Sequence, residues 1–252
     1  MILSGIYKLI LLEMTVASRA ANTFILIMTS LLLTFCRGGS ERKKNPDDQK
    51  PIQQQVEKQP QQEKTALFPE SNNLFDGTSL EKWEITNFGP QGPVTISGGE
   101  IILGMGEGCT GITWTGDFPV MNYKVTLDAK RVAGNDFFCG MTFPVGKEPC
   151  TLIVGGWGGT TVGLSSINSR DASRNQTTRL MSFERNRWYN ISLIVRQDTI
   201  RAVIDGEVVI DYARGENDVL SIRPEVELSK PFGIASWYTT AALKNLKVEK
   251  ID

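Results

Sequence analysis

The chain has 252 residues, of which 40% are hydrophobic and 22% are charged, and its formal net charge is -1. This composition is that of an ordinary globular protein, and the balanced charge excludes the basic surface that nucleic-acid binding needs. The chain has no histidine (His 0), which excludes Ser–His–Asp and Cys–His catalysis and zinc sites built on imidazole. A catalytic site would therefore use carboxylates, Lys, Tyr or Cys, and a divalent cation with oxygen ligands stays open as a cofactor.

Residues 1–36 are predicted to form an export signal. The apolar run Phe24–Phe35 follows Arg19 and precedes Cys36. A positive start followed by a short apolar run is typical of a signal peptide, whereas a transmembrane helix needs about 20 apolar residues. Met14 gives a more typical signal length than Met1, so both starts stay open.

The segment Leu33-Thr34-Phe35-Cys36 resembles the bacterial lipobox, in which the cysteine is lipidated after cleavage. Phe35 departs from that pattern, because a small residue is expected before the cysteine. Two interpretations stay open: a lipid anchor at Cys36, or a plain secretory signal with an incidental cysteine. Both predict an exported protein of the periplasm or cell envelope, and the first adds a membrane as partner.

Residues 37–69 are rich in Gln, Lys, Glu and Pro and have hardly any apolar side chains. Such a segment cannot bury enough surface to offset the entropy of ordering, so we predict a disordered linker. The linker would act as a tether for a single folded domain over residues 70–252.

Residues 70–252 show the two-residue hydrophobic period of β-strands. In the segment 123–130, Tyr, Val, Leu and Ala alternate with polar residues, and Asp205-Gly206 marks a hairpin between Arg201–Ile204 and Glu207–Ile210. No window shows a convincing helical period, so the sequence predicts an all-β sandwich of two antiparallel sheets. Further strands are predicted at Val94–Leu103, Asp136–Phe143, Cys150–Val154, Tyr189–Val195, Phe232–Trp237 and Leu246–Ile251.

Two cysteines of this domain, Cys139 and Cys150, flank a turn-like segment. If they face each other in a hairpin, an oxidising compartment would allow a disulfide bridge. The alternative is a pair of buried thiols that behave as small hydrophobic side chains.

Several segments resemble the family named for 3-keto-disaccharide hydrolases, formerly a domain of unknown function. The segments that carry the resemblance are Leu74–Trp83 (LFDGTSLEKW), Gly134-Asn135-Asp136, Arg187–Asn190, Ile204–Glu207, Pro231–Ala235 and Leu243–Leu246, within residues 72–252. The resemblance implies a concanavalin-like jelly roll that acts on carbohydrate, as a hydrolase or lyase of 3-keto-glycosides. One departure is the segment 152–166, which replaces the acidic E-x-Q-x-x-D stretch of typical members. A non-catalytic carbohydrate-binding module and an adhesive sandwich therefore remain alternatives.

Trp157 is the first candidate binding residue, because it lies in the unusual string Gly155-Gly156-Trp157-Gly158-Gly159. Glycines deny a strand its packing and permit close approach by a ligand or another backbone. An exposed indole would stack on the apolar face of a pyranose ring. The alternative is a bulged strand whose tryptophan fills the core.

A polar loop, residues 165–175, follows this string and supplies hydroxyls, amides and charges suited to sugar hydroxyls. For a 3-keto sugar, the resemblance implies elimination, which needs a base for the C2 proton and a group that stabilises the enolate oxygen. Candidate bases are Asp136 and Asp171, while Arg174 or a hard cation would hold the oxyanion. Candidate substrate-binding residues are Asn135, Trp157, Ser165, Asn168, Arg174 and Trp237.

The lipid-anchor interpretation predicts the behaviour of Cys36→Ser. The substitution is expected to release the domain from membranes in its native host, because the lipid is the anchor that remains after signal cleavage. Sedimentation of membranes, with detection of the domain in each fraction, measures the effect. A variant that still sediments would instead make the apolar run the anchor.

Overall fold

The computed structural model describes Pro69 and residues 71–252. The predicted export signal, Cys36 and all of the predicted linker except Pro69 lie outside the described residues. Among residues 71–252, no helix is both long enough and apolar enough to span a bilayer.

The described chain folds almost entirely into β-strands. The strands are β1 (Ser71–Asn73), β2 (Trp83–Ile85), β3 (Val94–Ser97), β4 (Glu100–Leu103), β5 (Cys109–Trp114), β6 (Tyr123–Gly134), β7 (Cys139–Val145), β8 (Glu148–Gly156), β9 (Thr161–Ser165), β10 (Arg179–Leu180), β11 (Tyr189–Val195), β12 (Thr199–Ile204), β13 (Glu207–Ala213), β14 (Gly233–Trp237) and β15 (Thr239–Lys250). A 3-10 helix, Pro224–Ser229, lies between β13 and β14.

The strands form two antiparallel sheets, which confirms the predicted all-β sandwich. The first sheet has the order β13-β12-β11-β6-β15-β4-β3, and β1 also pairs with β15. The second sheet has the order β10-β9-β8-β7-β14-β5-β2. Hairpins of consecutive strands form one side of each sheet, and pairings between strands distant in sequence, such as β6 with β15 and β14 with β5, complete it.

The first sheet shows the alternation that the sequence predicts. In β6, Tyr123, Val125, Leu127 and Ala129 are buried, and the residues between them are half-buried. The Tyr123 hydroxyl donates a 2.6 Å hydrogen bond to the Pro144 carbonyl of the second sheet. One face of this sheet therefore forms the core and the other faces solvent.

The central strands of the second sheet are buried on both faces. Every residue of β7 and of β9 is buried, and so are the last seven residues of β8. The loop that follows β9 and the 3-10 helix cover the outer face, where small side chains leave room for them. At Gly163 an added Cβ would lie 2.7 Å from the Ala172 carbonyl oxygen, so the covering loop lies directly on the strand.

This double burial explains two differences from the sequence prediction. Neither β5 nor β9 was predicted, because a strand buried on both faces has no polar alternation and these two contain Thr and Gly. The predicted single strand Val94–Leu103 is instead a hairpin of β3 and β4. Gly98 and Gly99 both have positive φ (60° and 78°), as a tight two-residue turn requires.

The disulfide alternative is wrong. Cys139 lies opposite Val154 and Cys150 lies opposite Phe143, so the two cysteines are not cross-strand partners. Both are free, buried thiols, as is Cys109. Burial raises the pKa of Cys139 and of Cys150 to about 12, so neither forms a reactive thiolate near neutral pH.

The cover on the second sheet predicts the effect of Gly163→Ala. The new methyl group would collide with Ala172, so we expect a loss of about 1–3 kcal/mol in the free energy of unfolding. Urea denaturation measures it, and Lys124→Ala on the solvent face of β6 is the control, with a change of about 0.5 kcal/mol or less. Equal stability of Gly163→Ala and wild type would mean that the loop does not pack on β9.

Candidate functional site

A cleft of about 190 Å³ opens on the outer face of the second sheet. Thr151 and Ile153 of β8 and Ser165 of β9 line it, and Ser165 is the cross-strand partner of Thr151. The Thr151 hydroxyl is hydrogen-bonded to the Thr142 hydroxyl at 3.0 Å. The side chains of Thr151, Ile153 and Ser165 are themselves buried, so they form the floor of the cleft.

Trp157 also lines the cleft and is 41% exposed. It lies in the tight turn between β8 and β9 with φ of 48°, and the Gly159 and Thr160 amides donate to the Gly156 carbonyl at 3.2 Å. The alternative in which this tryptophan fills the core is therefore not what the structure shows. Its indole projects from a turn at the rim of the sheet.

Arg131 of β6 holds this turn through hydrogen bonds to its backbone. Arg131 is buried, with 6% of its surface exposed, and its Nη2 donates to the carbonyl of Gly159 at 2.8 Å and to that of Gly155 at 3.4 Å. The ring of Phe138 lies 5.3 Å from the guanidinium carbon. Burial lowers the pKa of Arg131, and the negative charge of Asp136 opposes this.

The glycines around Trp157 have a different role from the one first inferred. An added Cβ at Gly155 would lie 2.6 Å from Arg131 Nη2, and one at Gly159 would lie 3.1 Å from Nη1. Both glycines have positive φ, of 79° and 104°. They therefore admit the guanidinium and the turn geometry, and the group that approaches closely is Arg131 rather than a ligand.

Asp136 lines the cleft beside Trp157 and is tied to the same turn. Its Oδ1 accepts a hydrogen bond from the Phe137 amide at 2.8 Å, and its Oδ2 accepts one from the Gly158 amide at 3.2 Å. The Asp136 amide donates to the Thr239 hydroxyl at 3.1 Å. Each carboxylate oxygen has two lone pairs, so both keep the capacity to accept from a ligand.

Two stacked aromatic rings also line the cleft. Phe137 and Trp237 have ring centroids 6.4 Å apart and an interplanar angle of 24°. The Trp237 amide donates to the Phe137 carbonyl at 3.0 Å, and Tyr238 packs edge-on against the Trp237 ring. Trp237 was predicted as a binding residue, while Phe137 was not singled out because nothing in its sequence context distinguishes it from a core residue.

The 3-10 helix and the residue before it bring further lining residues that sequence reasoning missed: Arg223, Glu225 and Val226. Arg223 Nη2 donates to Glu225 Oε1 at 2.7 Å, and this contact holds the pKa of the Glu225 carboxyl below its ordinary value. Pro224 starts the helix, and the alternation of charged and apolar residues after it is the pattern of a strand. The proline was the signal that could have separated this segment from a strand.

The remaining predicted residues are not among the lining residues of the cleft. Asp171 Oδ1 accepts from the Ser173 amide and hydroxyl, and its Oδ2 lies 3.6 Å from Arg223. Asn168 bonds to Asp218 and to the Val219 amide, and Arg174 and Asn135 are exposed. Asp171 is therefore connected to the cleft only through Arg223. Asn135 lies at the edge of the cleft, directly before Asp136 in the chain.

The cleft does not have the donor set of a divalent cation site. Within residues 71–252, no three His, Cys, Asp or Glu side chains come together as metal ligands. The two carboxylates of the cleft, Asp136 and Glu225, accept from backbone amides and from a guanidinium respectively. The cleft thus has only two carboxylates, and the charge of Glu225 is already paired with Arg223, so the residues present do not fit a divalent cation.

Comparison with known proteins gives a family and a fold. A family model described as a 3-keto-alpha-glucoside-1,2-lyase-like domain matches residues 70–249. No curated protein sequence matches the chain. Among solved structures, the Crh5 transglycosylase in complex with NAG is 14% identical, with 73% of this chain and 85% of that chain covered and a TM-score of 0.51.

Two further structures are similar over most of the domain. A putative glycosyl hydrolase from Parabacteroides distasonis ATCC 8503 is 12% identical, covering 72% of this chain and 94% of that chain, with a TM-score of 0.45. The carbohydrate-binding module CBM66 from Bacillus subtilis is 17% identical, covering 67% and 96%, with a TM-score of 0.44. At such identities the transglycosylase likeness shows the fold alone, but the family model matches residues 70–249 of a 252-residue chain. The chain therefore belongs to the carbohydrate-related family of 3-keto-alpha-glucoside-1,2-lyase-like domains, as the resemblance from Leu74–Trp83 onward implied.

Proposed function

We propose that the domain binds a 3-keto-α-glucoside, with one sugar ring stacked on Trp157 in the cleft. The observation that carries the proposal is a partly exposed indole held in a rigid turn beside a carboxylate, Asp136. An aromatic face packs well against the C–H face of a sugar, and a carboxylate accepts hydrogen bonds from its hydroxyls.

The turn is suited to this role because it is ordered before any ligand binds. Arg131 fixes two of its carbonyls, and Asp136 accepts from the Gly158 amide. A preorganised site avoids much of the entropy cost of immobilising side chains on binding. Arg223, which also lines the cleft, adds a hydrogen-bonding group that can orient the ring.

A second candidate function, elimination of the glycosidic oxygen, is favoured by Asp136 and Arg223 lining the same cleft. In this reaction the Asp136 carboxylate takes the C2 proton, and the C–H electron pair forms an enolate with the C3 oxygen. The enolate then restores the ketone and forms a C1=C2 double bond as the C1–O bond breaks. The departing alkoxide takes up the proton that Asp136 removed, which restores the Asp136 carboxylate, and Arg223 stabilises the charge on the enolate oxygen.

Elimination suits this cleft better than hydrolysis by paired carboxylates. Such hydrolysis needs one carboxyl that is still protonated near neutral pH, which requires a raised pKa. In Glu225 the pKa is lowered, because Arg223 donates to it. Elimination from a 3-keto sugar needs one base and one electrophilic group, and Asp136 and Arg223 supply both.

We also propose that the domain acts outside the cytoplasm. The support is the pattern of Arg19, Phe24–Phe35 and Cys36 and the composition of residues 37–69. On this proposal a lipid at Cys36 holds the chain at a membrane and residues 37–69 separate the cleft from it.

Asp136→Asn distinguishes elimination from binding alone. The amide keeps an acceptor for the Phe137 amide but cannot take a proton, so kcat should fall by about 10²–10⁴-fold. Release of nitrophenol from p-nitrophenyl 3-keto-α-D-glucoside measures the rate. If the wild type turns over the substrate and Asp136→Asn does so at the same rate, Asp136 is not the base. If the wild type shows no turnover, elimination is excluded and the domain is a binding module.

Trp157→Ala tests the stacking platform. Because the indole is partly exposed, the free energy of unfolding should fall by about 1 kcal/mol or less, while ligand affinity falls by roughly 1–3 kcal/mol. Calorimetric titration with methyl 3-keto-α-D-glucoside in an Asp136→Asn background avoids turnover, and thermal melting reports stability. Leu180→Ala is the control, since Leu180 is 77% exposed and is not among the lining residues of the cleft. Unchanged affinity with a large drop in Tm would contradict the proposal.

A further inference from the structure

We infer that the loop between β9 and β10, together with β10 itself, docks on a bilayer of anionic phospholipids, whose phosphate groups bind its arginines. The docking residues, which we call the arginine surface, are Arg170, Arg174, Arg179 and Leu180. All four side chains are exposed, and none of them lines the cleft. The inference therefore goes beyond the sugar-binding proposal and does not depend on it.

The charges of the three arginines are not neutralised by carboxylates. Among residues 71–252, none of the three forms an ion pair. The carboxylate next to them in sequence, Asp171, lies 3.6 Å from Arg223 instead. Asp211 lines a hollow together with Arg179, but it accepts two hydrogen bonds from Arg201, at 3.1 and 2.9 Å. Both carboxylates are thus engaged by other arginines, and the surface keeps its positive charge.

The loop that carries these arginines is held in one conformation by the side chain of Asn175. Its Nδ2 donates to the carbonyls of Leu164, Arg170 and Asp171 at 2.7, 3.0 and 2.9 Å. Its Oδ1 accepts from the Thr177 amide at 2.9 Å and from the Thr177 hydroxyl at 2.6 Å. The arginines are therefore presented by a preformed loop, so binding loses little entropy in ordering it.

The space next to Arg179 can receive a lipid headgroup. A hollow of about 280 Å³ lies between the loop and β13, and Gln176, Thr177 and Arg179 line its loop side. A guanidinium binds a phosphate through two parallel hydrogen bonds. Arg179 uses Nη1 for its bonds to the carbonyls of Gln176 and Thr178, which leaves Nε and Nη2 for such a pair.

Leu180 makes a bilayer, rather than a soluble anion, the occupant that fits. It is 77% exposed, the largest value among the large hydrophobic side chains of residues 71–252. It follows Arg179 in β10, which forms the edge of the second sheet. An aliphatic side chain gains nothing from a soluble anion, whereas at a membrane it enters the boundary between headgroups and acyl chains while the arginines stay at the phosphates.

The chain before the described residues can bring this surface to a bilayer. As a random coil, the predicted linker of residues 37–69 spans about 30–35 Å. With a lipid at Cys36, a domain on such a tether can turn freely and stays at a high effective concentration beside the bilayer, so a weak docking contact is sufficient. The arginine surface then sets the orientation that the tether leaves free.

The test places a polarity-sensitive fluorophore on the arginine surface of the full-length Cys36→Ser chain. Leu180→Cys supplies the labelling site, because the other cysteines of residues 71–252, Cys109, Cys139 and Cys150, are buried. We expect the emission to shift to the blue on vesicles of equal parts phosphatidylcholine and phosphatidylglycerol, and not on vesicles of phosphatidylcholine alone.

Substitutions of single arginines test the role of charge. Arg170→Gln, Arg174→Gln and Arg179→Gln should each raise the lipid concentration at half-maximal shift about fivefold, the usual contribution of one basic residue at an anionic membrane. Lys124→Gln, on the solvent face of β6, is the matched control and should change this concentration less than twofold. A fluorophore at Lys124→Cys should show no shift, because that face does not dock.

Four results would overturn the inference. The first is the absence of a shift at position 180, and the second is an equal shift at positions 180 and 124. The third is a shift that is the same on both kinds of vesicle or persists when all three arginines are glutamine, because lipid charge would then have no role. The fourth is a shift caused by inorganic phosphate without vesicles, which would make the free anion the ligand. None of these results bears on sugar binding in the cleft, which Arg179→Gln should leave unchanged.

Discussion

The candidate site depends on one buried arginine side chain, that of Arg131. Arg131 belongs to β6 of the first sheet, yet its guanidinium donates to carbonyls of the β8–β9 turn of the second sheet. Hydrogen bonds from a charged donor are worth about 1.5–3 kcal/mol each, but placing a guanidinium in an apolar surrounding costs several kcal/mol. The contact therefore serves geometry more than stability, because it sets the distance between the end of one sheet and the turn of the other.

That geometry extends outward from Arg131 in a short series of contacts. The guanidinium fixes the carbonyls of Gly155 and Gly159, and Asp136 accepts from the Gly158 amide within the same turn. Phe137, the residue after Asp136, stacks its ring on that of Trp237. A stacking surface, a carboxylate and a second aromatic wall are thus positioned by one turn and the strand entry beside it.

The sequence predicted most of the first sheet, and it predicted β7, β8 and β14 of the second sheet but missed β2, β5, β9 and β10. Strands β6 and β11–β13 have one wet face, so polar and apolar residues alternate and their positions could be read directly. Strands β5 and β9 have two buried faces, so the alternation of polar and apolar residues disappears from them. A loop and a 3-10 helix cover the outer face of the second sheet. They pack onto glycines and threonines of the strands, and such a tertiary contact leaves no pattern in the local sequence.

The candidate site shows the same division. The sequence pointed to Trp157 by its glycine string, to Asp136 by its place at a strand entry and to Trp237 by the aromatic residue beside it. Ser165 was found because it begins the polar loop 165–175. Arg223 and Glu225 were missed, since they lie some 60 residues further along the chain, in a segment with the alternation of a strand. Asn168 and Arg174 looked suitable by composition alone, but their loop is occupied with its own hydrogen bonds or faces solvent.

The 3-10 helix has a consequence for motion. Val226 packs in a small apolar cluster with Cys109 and Ala235, apart from the large core between the sheets. Segments with few buried apolar contacts open at free energies well below that of global unfolding. The wall that carries Arg223, Glu225 and Leu228 can therefore lift from the sheet while the sandwich stays folded. Amide hydrogens in this helix should exchange with solvent through local opening, and a bound ligand would slow that exchange without stiffening the strands beneath.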